Sequence, residues 1–393
     1  MKSSSGRILF VSPILGYKSL LYWGYILAGL KKRFPEFRVF TCCPPLSSQD
    51  GSIATENKIR ALNYGNRRGA PWWGRHLPWI ILPGFLREIS RMKPSVIILN
   101  EFNLVSFYVI LFRRISFPGS RLLLLVENAP GSRRGLREAL RRSYRRWCAR
   151  HVDLLQTNNS KGGEYLRNIL KISPEKIVIS PYLTSELPPC SKDGTESPFA
   201  VLPSEAVRLL FVGRLIYCKG VDLLLRAMAQ VPEETRKKIF LEIVGAGDLL
   251  DEYRALTERY HLQEQVHFHG AVAYERLRAY FENSDCFVLP TRHDYRALVG
   301  FEAIGCGLPI IDSCYDGASP EVLQNGNGFL IDPFDTEAFT RLLTYVAEHP
   351  EELKEKGRRS QTIAAKYRFA AIVENFTNVI DSLDSEGEKD CCR

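Results

Sequence analysis

Short apolar runs alternate along this chain with longer stretches whose apolar residues recur three and four positions apart. Residues 8–12, 38–42, 95–100, 122–126, 153–157 and 177–179 are runs of the first kind, with the length and aliphatic character of buried strands. Residues 19–33, 82–92, 104–114, an arginine-rich stretch from about 136, and 161–170 are of the second kind and read as amphipathic helices. The polar stretch 47–69 reads as loop. A second series of the same type starts at Leu209 and runs to about Ala347, and a last helix is expected over 365–383. Strands alternating with helices predict an α/β fold of parallel sheets wrapped by helices.

A chain of 393 residues exceeds what one hydrophobic core serves, so two domains are expected. The first is placed at 1–187 and the second at 206–364. Between them 188–205, rich in Pro, Ser and charge, reads as a linker. Residues 384–393, which open with Asp-Ser-Glu-Gly-Glu-Lys-Asp, are expected to be disordered.

The candidate chemistry lies in the second series. Asp294 and Glu302 stand eight positions apart, across a short loop and the start of a helix that Gly305-Cys-Gly307-Leu-Pro309 ends. Eight residues is just over two helical turns at about 3.6 residues each, so both acids can address one cleft. The N–H groups near Leu298 and Val299 fall where a helix N-terminus holds an anion. Upstream, residues 209–225 read as a buried strand, a basic loop with Gly213, Arg214, Lys219 and Gly220, and a helix. Arg214 offers a planar fork of donors and Lys219 a mobile point charge, a pairing suited to a diphosphate. Gly213 and Gly220 let the backbone approach such a ligand closely. A strand over 240–244 runs into Gly245-Ala-Gly247-Asp248, followed by Val266-His-Phe-His-Gly270, a helix to Ser284 and a strand over 286–290. Ala318-Ser-Pro-Glu321-Val-Leu and Gly326-Asn-Gly328-Phe-Leu-Ile-Asp-Pro333 complete the order.

In this order and spacing, the stretch from about Leu209 to Pro333 resembles the retaining glycosyltransferases of family 4 (group 1 glycosyltransferases), with an E-x7-E element that here opens on Asp294. The resemblance implies the GT-B fold, two Rossmann-like domains with parallel sheets facing across a cleft. The final helix, apolar from Phe369 to Ile380, would cross back to the first domain. The implied reaction moves a hexose from a nucleotide-sugar donor, a substrate rather than a cofactor, to a saccharide or lipid-linked acceptor in polysaccharide or glycolipid biosynthesis. Arg214 and Lys219 would stabilise the departing diphosphate in place of a metal, so neither metal nor cofactor is expected. Glu302 would accept hydrogen bonds from ribose hydroxyls and Asp294 from the transferred sugar, with His293 beside it in reach. Leu298 and Val299 would face the phosphate or sugar, and Gly16, Gly213 and Gly245 complete the implied donor-binding set. On the acceptor side, Glu101 and Glu127 are the candidates for proton transfer. A same-face transfer to the departing phosphate would need neither.

The net charge of +9 hides a division. Residues 1–190 carry 30 Lys and Arg against 11 Asp and Glu, while 191–393 carry 23 against 33. The first half therefore calls for an anionic partner. Eight arginines fall within 132–150, where Leu136, Leu140, Tyr144 and Trp147 form an apolar stripe expected to pack inward. Pro71-Trp-Trp-Gly-Arg-His-Leu-Pro-Trp79 sets tryptophans beside arginine, as at a membrane interface. No run approaches the ~20 apolar residues of a spanning helix, and no signal-peptide core follows Met1. The ten cysteines lack metal-site spacing and read as free thiols of a reducing compartment. Together these features predict a cytoplasmic protein, peripheral at the inner face of the membrane. Two other classes compete. A catalytically silent GT-B scaffold would dispense with Arg214, Lys219 or Glu302, all of which are present. An anion- or nucleic-acid-binding protein would use the arginine helix, but no nucleic-acid signature accompanies it and no nucleic acid is expected.

Overall fold

A computed structural model describes residues 6–12, 17–41, 61–63, 82–127, 135–189, 197–203 and 205–391; at 17–22, 41, 61–63, 82–85 and 386–391 it describes the backbone alone. Gly16, Arg133, Arg134 and the tryptophan segment at 71–79 lie outside the described residues. The chain forms two compact units, Met1–Leu183 with Phe369–Arg393, and Thr184–Arg368. This division falls four residues before the boundary at 187 expected from the sequence.

The first unit is built on seven parallel strands in the order β3-β2-β1-β4-β5-β6-β7. They are β1 (Ile8–Val11), β2 (Arg38–Thr41), β3 (Ala61–Asn63), β4 (Val96–Asn100), β5 (Arg121–Val126), β6 (Leu154–Thr157) and β7 (Ile177–Ile179). The central strands are buried on both faces, which is why they read as unbroken apolar runs. Helices α1 (Tyr17–Arg33), α2 (Leu82–Met92), α3 (Leu104–Ser116), α4 (Leu136–Arg150) and α5 (Ser160–Glu164) lie between them. Strand β3 falls in the stretch that reads as loop, because three residues at a sheet edge carry too little pattern to register. Leu9, Val11, Ile97 and Leu99 face one core with residues of α2, α3 and α4. On the opposite side Phe10 packs on Trp23 of α1, and Trp23 stacks on Tyr182.

The terminal helix Phe369–Cys391 belongs to this unit. Tyr25 stacks on Phe369 at 4.4 Å, and Arg33 pairs with Asp381 at 2.7 Å. A Cβ on Gly29 would sit 2.6 Å from Val373, so the two helices cross where α1 has no side chain. The helix runs on to Cys391, through residues for which the sequence predicts disorder. Glu and Lys there extend a helix that is already nucleated by packing.

Helix α4 also departs from expectation. Leu136 and Leu140 are 78% and 64% exposed, and the buried residues are Arg145, Cys148 and Ala149. The helix meets the core only from about Tyr144 onward, where Tyr144 donates to the Asn103 carbonyl at 2.8 Å and Trp147 packs on Phe107 at 5.0 Å. Its first two turns are left largely uncovered.

The second unit has six parallel strands in the order β10-β9-β8-β11-β12-β13. They are β8 (Val207–Val212), β9 (Ile239–Val244), β10 (Val266–Gly270), β11 (Cys286–Leu289), β12 (Ile310–Ser313) and β13 (Gly328–Ile331). Helices α6 (Val221–Gln230), α7 (Glu233–Arg236), α8 (Leu250–Arg259), α9 (Tyr274–Glu282), α10 (Val299–Gly305), α11 (Ser319–Val322), α12 (Thr336–Glu348) and α13 (Pro350–Ala364) connect and cover them. Leu209, Phe211, Leu224, Phe287, Ile310 and Phe339 belong to its single core. Strand order reverses between β8 and β11, and in such doubly wound sheets a ligand binds beyond the carboxyl ends of the strands at that point.

Candidate active site

The loops that follow β8 and β11 are locked together. Gly220 closes the turn Tyr217–Lys219 at φ 70°, and a Cβ there would lie 2.1 Å from the Pro290 carbonyl oxygen. Arg292 N–H and Thr291 Oγ1 both donate to the Cys218 carbonyl, at 2.8 and 2.7 Å. The Arg292 guanidinium donates twice to Asp222, at 2.8 and 2.5 Å, and lies 4.1 Å over the Tyr217 ring. At Gly245, φ 147°, a Cβ would strike the Gly213 carbonyl oxygen. Close backbone packing thus accounts for Gly220 and Gly245 without reference to a ligand, whereas a Cβ on Gly213 would meet only the Phe211 ring, at 3.2 Å.

This locking sets Lys219 against Asp294. Lys219 Nζ donates to Asp294 Oδ2 at 2.7 Å, with the side chains 13% and 23% exposed. The other oxygen of Asp294 accepts the Arg296 N–H at 3.2 Å, which fixes the carboxylate to its own loop. The backbone of Asp294 bridges to the segment after β12, bonding Tyr315 O and Gly317 N at 3.2 and 3.1 Å. In that segment Asp316 Oδ1 accepts from the amides of Ala297 and Ala318, both at 3.0 Å. Burial pushes the Asp316 carboxyl up to about 6; nearby Asp294 adds to the rise and Lys219 opposes it. Asp312 is raised too, by burial and then by Asp316. Arg296 is buried against Glu321 through two bonds of 2.9 and 2.7 Å and lies 4.2 Å over the Phe301 ring.

Glu302 sits one step deeper. Its Oε1 accepts from both Ser185 Oγ and Tyr274 Oη, the latter at 3.3 Å. Burial pushes its carboxyl up to about 7 against the pull of those two hydroxyls. It lines a cavity of about 340 Å³ together with Ser185, Glu186, Arg278, Phe301 and Tyr367. Arg214 and His293 are exposed on the same two loops. Leu298 caps α10 and Val299 opens it, at positions whose amides an α-helix leaves without intrahelical partners.

The structure therefore joins Lys219 directly to Asp294, keeps Arg214 in the same loop as Lys219, and gives Glu302 its own pair of hydroxyls. Sequence reasoning misses Ser185 and Tyr274, which lie 117 and 28 residues from Glu302 with no local signal. It also passes over Arg292, Asp222 and Asp316. All three are charged residues in or next to the loops that carry the motifs, with Asp222 in the first turn of α6.

In the first unit, Glu101 and Glu127 follow β4 and β5. Glu101 adopts φ 66°, held by Ser106 Oγ and Asn103 Nδ2 donating to its carbonyl at 2.8 and 3.2 Å. Glu101 Oε1 accepts the Glu127 N–H at 2.6 Å. Burial, and then the Glu101 charge, push the Glu127 carboxyl up to about 8. The structure thus brings this pair together. The five cysteines whose side chains are described are free thiols, and no described helix is long and apolar enough to cross a membrane.

Residues 195–362 match the family model described as glycosyl transferases group 1. That stretch, most of the second unit, is similar to the group 1 glycosyltransferases, and two Rossmann-like units with parallel sheets are the GT-B fold. Among curated proteins, the chain is 30% identical over 170 residues to a D-inositol 3-phosphate glycosyltransferase of Xylanimonas cellulosilytica, covering 43% of this chain and 39% of that one. The chain spans about two fifths of the length of the curated relatives it matches, at 39%, 37% and 45%. Among solved structures, Anabaena HepE in complex with UDP superimposes with a TM-score of 0.71 at 16% identity, over 96% of this chain and 100% of that one. Sucrose-phosphate synthase from Thermosynechococcus elongatus gives 0.69 at 21% identity, over 96% and 99%. At these identities the structural likeness speaks to fold.

Proposed function

We propose that the chain is a retaining, metal-independent glycosyltransferase that moves a hexose from a nucleoside diphosphate sugar to a saccharide or lipid-linked acceptor. The observation that carries this reading is the Lys219–Asp294 contact at the strand-order reversal, with Arg214 on the same loop. A diphosphate carries more negative charge than one carboxylate and would draw Lys219 away from Asp294. Asp294 is then released to accept hydrogen bonds from the sugar hydroxyls. Arg214 and Lys219 stabilise charge as it develops on the departing phosphate oxygens, which is where preorganised cations lower a barrier most. Glu302, held on one oxygen by Ser185 and Tyr274, keeps the other for ribose hydroxyls. Leu298 and Val299 amides face the phosphate or sugar. The departing phosphate takes the acceptor proton on the same face, and the Glu101–Glu127 pair is the alternative base.

HepE has been crystallised with UDP and with UDP-glucose, which makes uridine the first nucleotide to try. A panel of nucleotide sugars assayed for released nucleoside diphosphate, with and without a chelator, tests the proposal, and the anomeric configuration of the product tests retention. Release from at least one donor, unchanged by chelation and with the anomer kept, is expected. Silence across the panel, loss on chelation or an inverted product would each overturn the corresponding part.

A further inference from the structure

We infer that the face formed by α3 and α4 of the first unit docks on an anionic lipid bilayer. The two helices follow neighbouring strands, β4 and β5, and cover one core on the same side of the sheet. Away from that core, Leu104, Leu111 and Ile115 recur at helical spacing on α3, and Leu136 and Leu140 on α4. Ile115 is 81% exposed. Of the thirteen exposed large apolar residues among the described ones, five fall in these two helices. Scattered exposed leucines are ordinary on a soluble protein, but a concentration of them on two adjacent helices marks an interaction surface.

The charge on the same helices names the partner. α4 contains six arginines and one glutamate, and α3 two arginines and no acid. Three of these arginines serve the fold. Arg145 is buried and donates to Tyr165 Oη at 3.0 Å, Arg146 donates to the carbonyls of Ile169 and Leu170 at 2.9 and 3.0 Å, and Arg113 pairs with Asp153 at 2.6 Å. Arg114, Arg137, Arg141 and Arg150 are exposed on the same two helices, Arg141 lying 4.0 Å from Glu138. Apolar side chains interleaved with arginines suit the boundary between headgroups and acyl chains. A nucleic acid would engage the arginines but gain little from Ile115, Leu136 or Leu140, and an acidic protein surface likewise. The inference is independent of the proposed transferase activity, because none of its residues belongs to the proposed donor or base groups and its readout is binding.

The test is co-sedimentation of the full chain with vesicles of phosphatidylcholine alone or mixed with phosphatidylglycerol, at about 50 and 300 mM salt. Binding to the mixed vesicles only, falling steeply with salt, is expected. Replacing Arg114, Arg137 and Arg141 with Gln should weaken it by up to about fivefold per arginine. Leu136→Ser with Leu140→Ser should weaken it about tenfold while leaving the salt slope in place. All these side chains are exposed, so an unchanged thermal transition confirms that each variant is folded. Equal binding to neutral vesicles, or arginine variants that bind like the wild type, would overturn the inference. So would leucine variants with undiminished binding, or a polyribonucleotide bound while vesicles are not.

Discussion

Removal of Lys219 separates a structural ion pair from a catalytic cation. In Lys219→Ala, Asp294 loses its 2.7 Å partner and is left beside Asp316, whose carboxyl Lys219 holds down and Asp294 pushes up. Both members of the pair are partly exposed, so the stability lost is about 1 kcal/mol, well below the value for a fully buried pair. The expected loss at the transition state is larger. A charge-assisted contact that strengthens as the diphosphate departs is worth about 2–4 kcal/mol, a ~30- to 1000-fold drop in turnover. Adding Asp294→Asn removes the stranded charge, so the double variant should recover most of the stability while its turnover stays low. Denaturant unfolding and nucleoside diphosphate release, measured on both variants, decide the matter. Wild-type turnover in Lys219→Ala, or activity restored in the double variant, would show that Lys219 only neutralises Asp294.

Two further outcomes follow from the same site. Glu302, pushed from 4.5 to about 7, stabilises the fold in its neutral form; that stability is complete below about 4.5 and lost as pH rises through about 7. Wild-type stability relative to Glu302→Gln should therefore fall by up to about 3 kcal/mol between pH 5 and 8.5, and a gap that does not move with pH would contradict the assigned burial. Gly220→Ala meets both a positive φ and the Pro290 carbonyl, whereas Gly270→Ala meets a positive φ of 68° with open space around it. The first should cost about 2 kcal/mol more than the second and lower turnover with it; equal costs would show that the two loops are not in rigid contact.

Much of the second unit was legible because its signals are local. Most of its strands are apolar runs bounded by glycine or a charged loop, and the residues from Arg214 to Glu302 lie on successive βα units. What escaped depended on distance in sequence. Ser185 reaches Glu302 from 117 residues away, and Arg208, His267 and His269 converge on buried Glu242 from two flanking strands. Glu242 breaks its apolar strand without leaving any mark that says what satisfies it. The error at Leu136 and Leu140 has a different cause: helical spacing identifies an apolar stripe but not whether the body of the protein extends far enough to cover it.

The aspartate at position 294 illustrates how a shorter side chain can be the more definite one. Read from sequence, losing a methylene relative to glutamate weakens its reach toward a sugar. In the structure the same shortness lets Oδ1 accept the N–H two residues on, a local bond that a glutamate at this position would not close in the same way. That bond leaves Oδ2 for Lys219, while the backbone of Asp294 is pinned on both sides by Tyr315 and Gly317. The carboxylate is thus held without help from a ligand, and the charge opposite it sits on a flexible four-carbon stem. In the proposed reaction Lys219 is therefore the partner that would move to a diphosphate. Asp294 stays where the loop puts it.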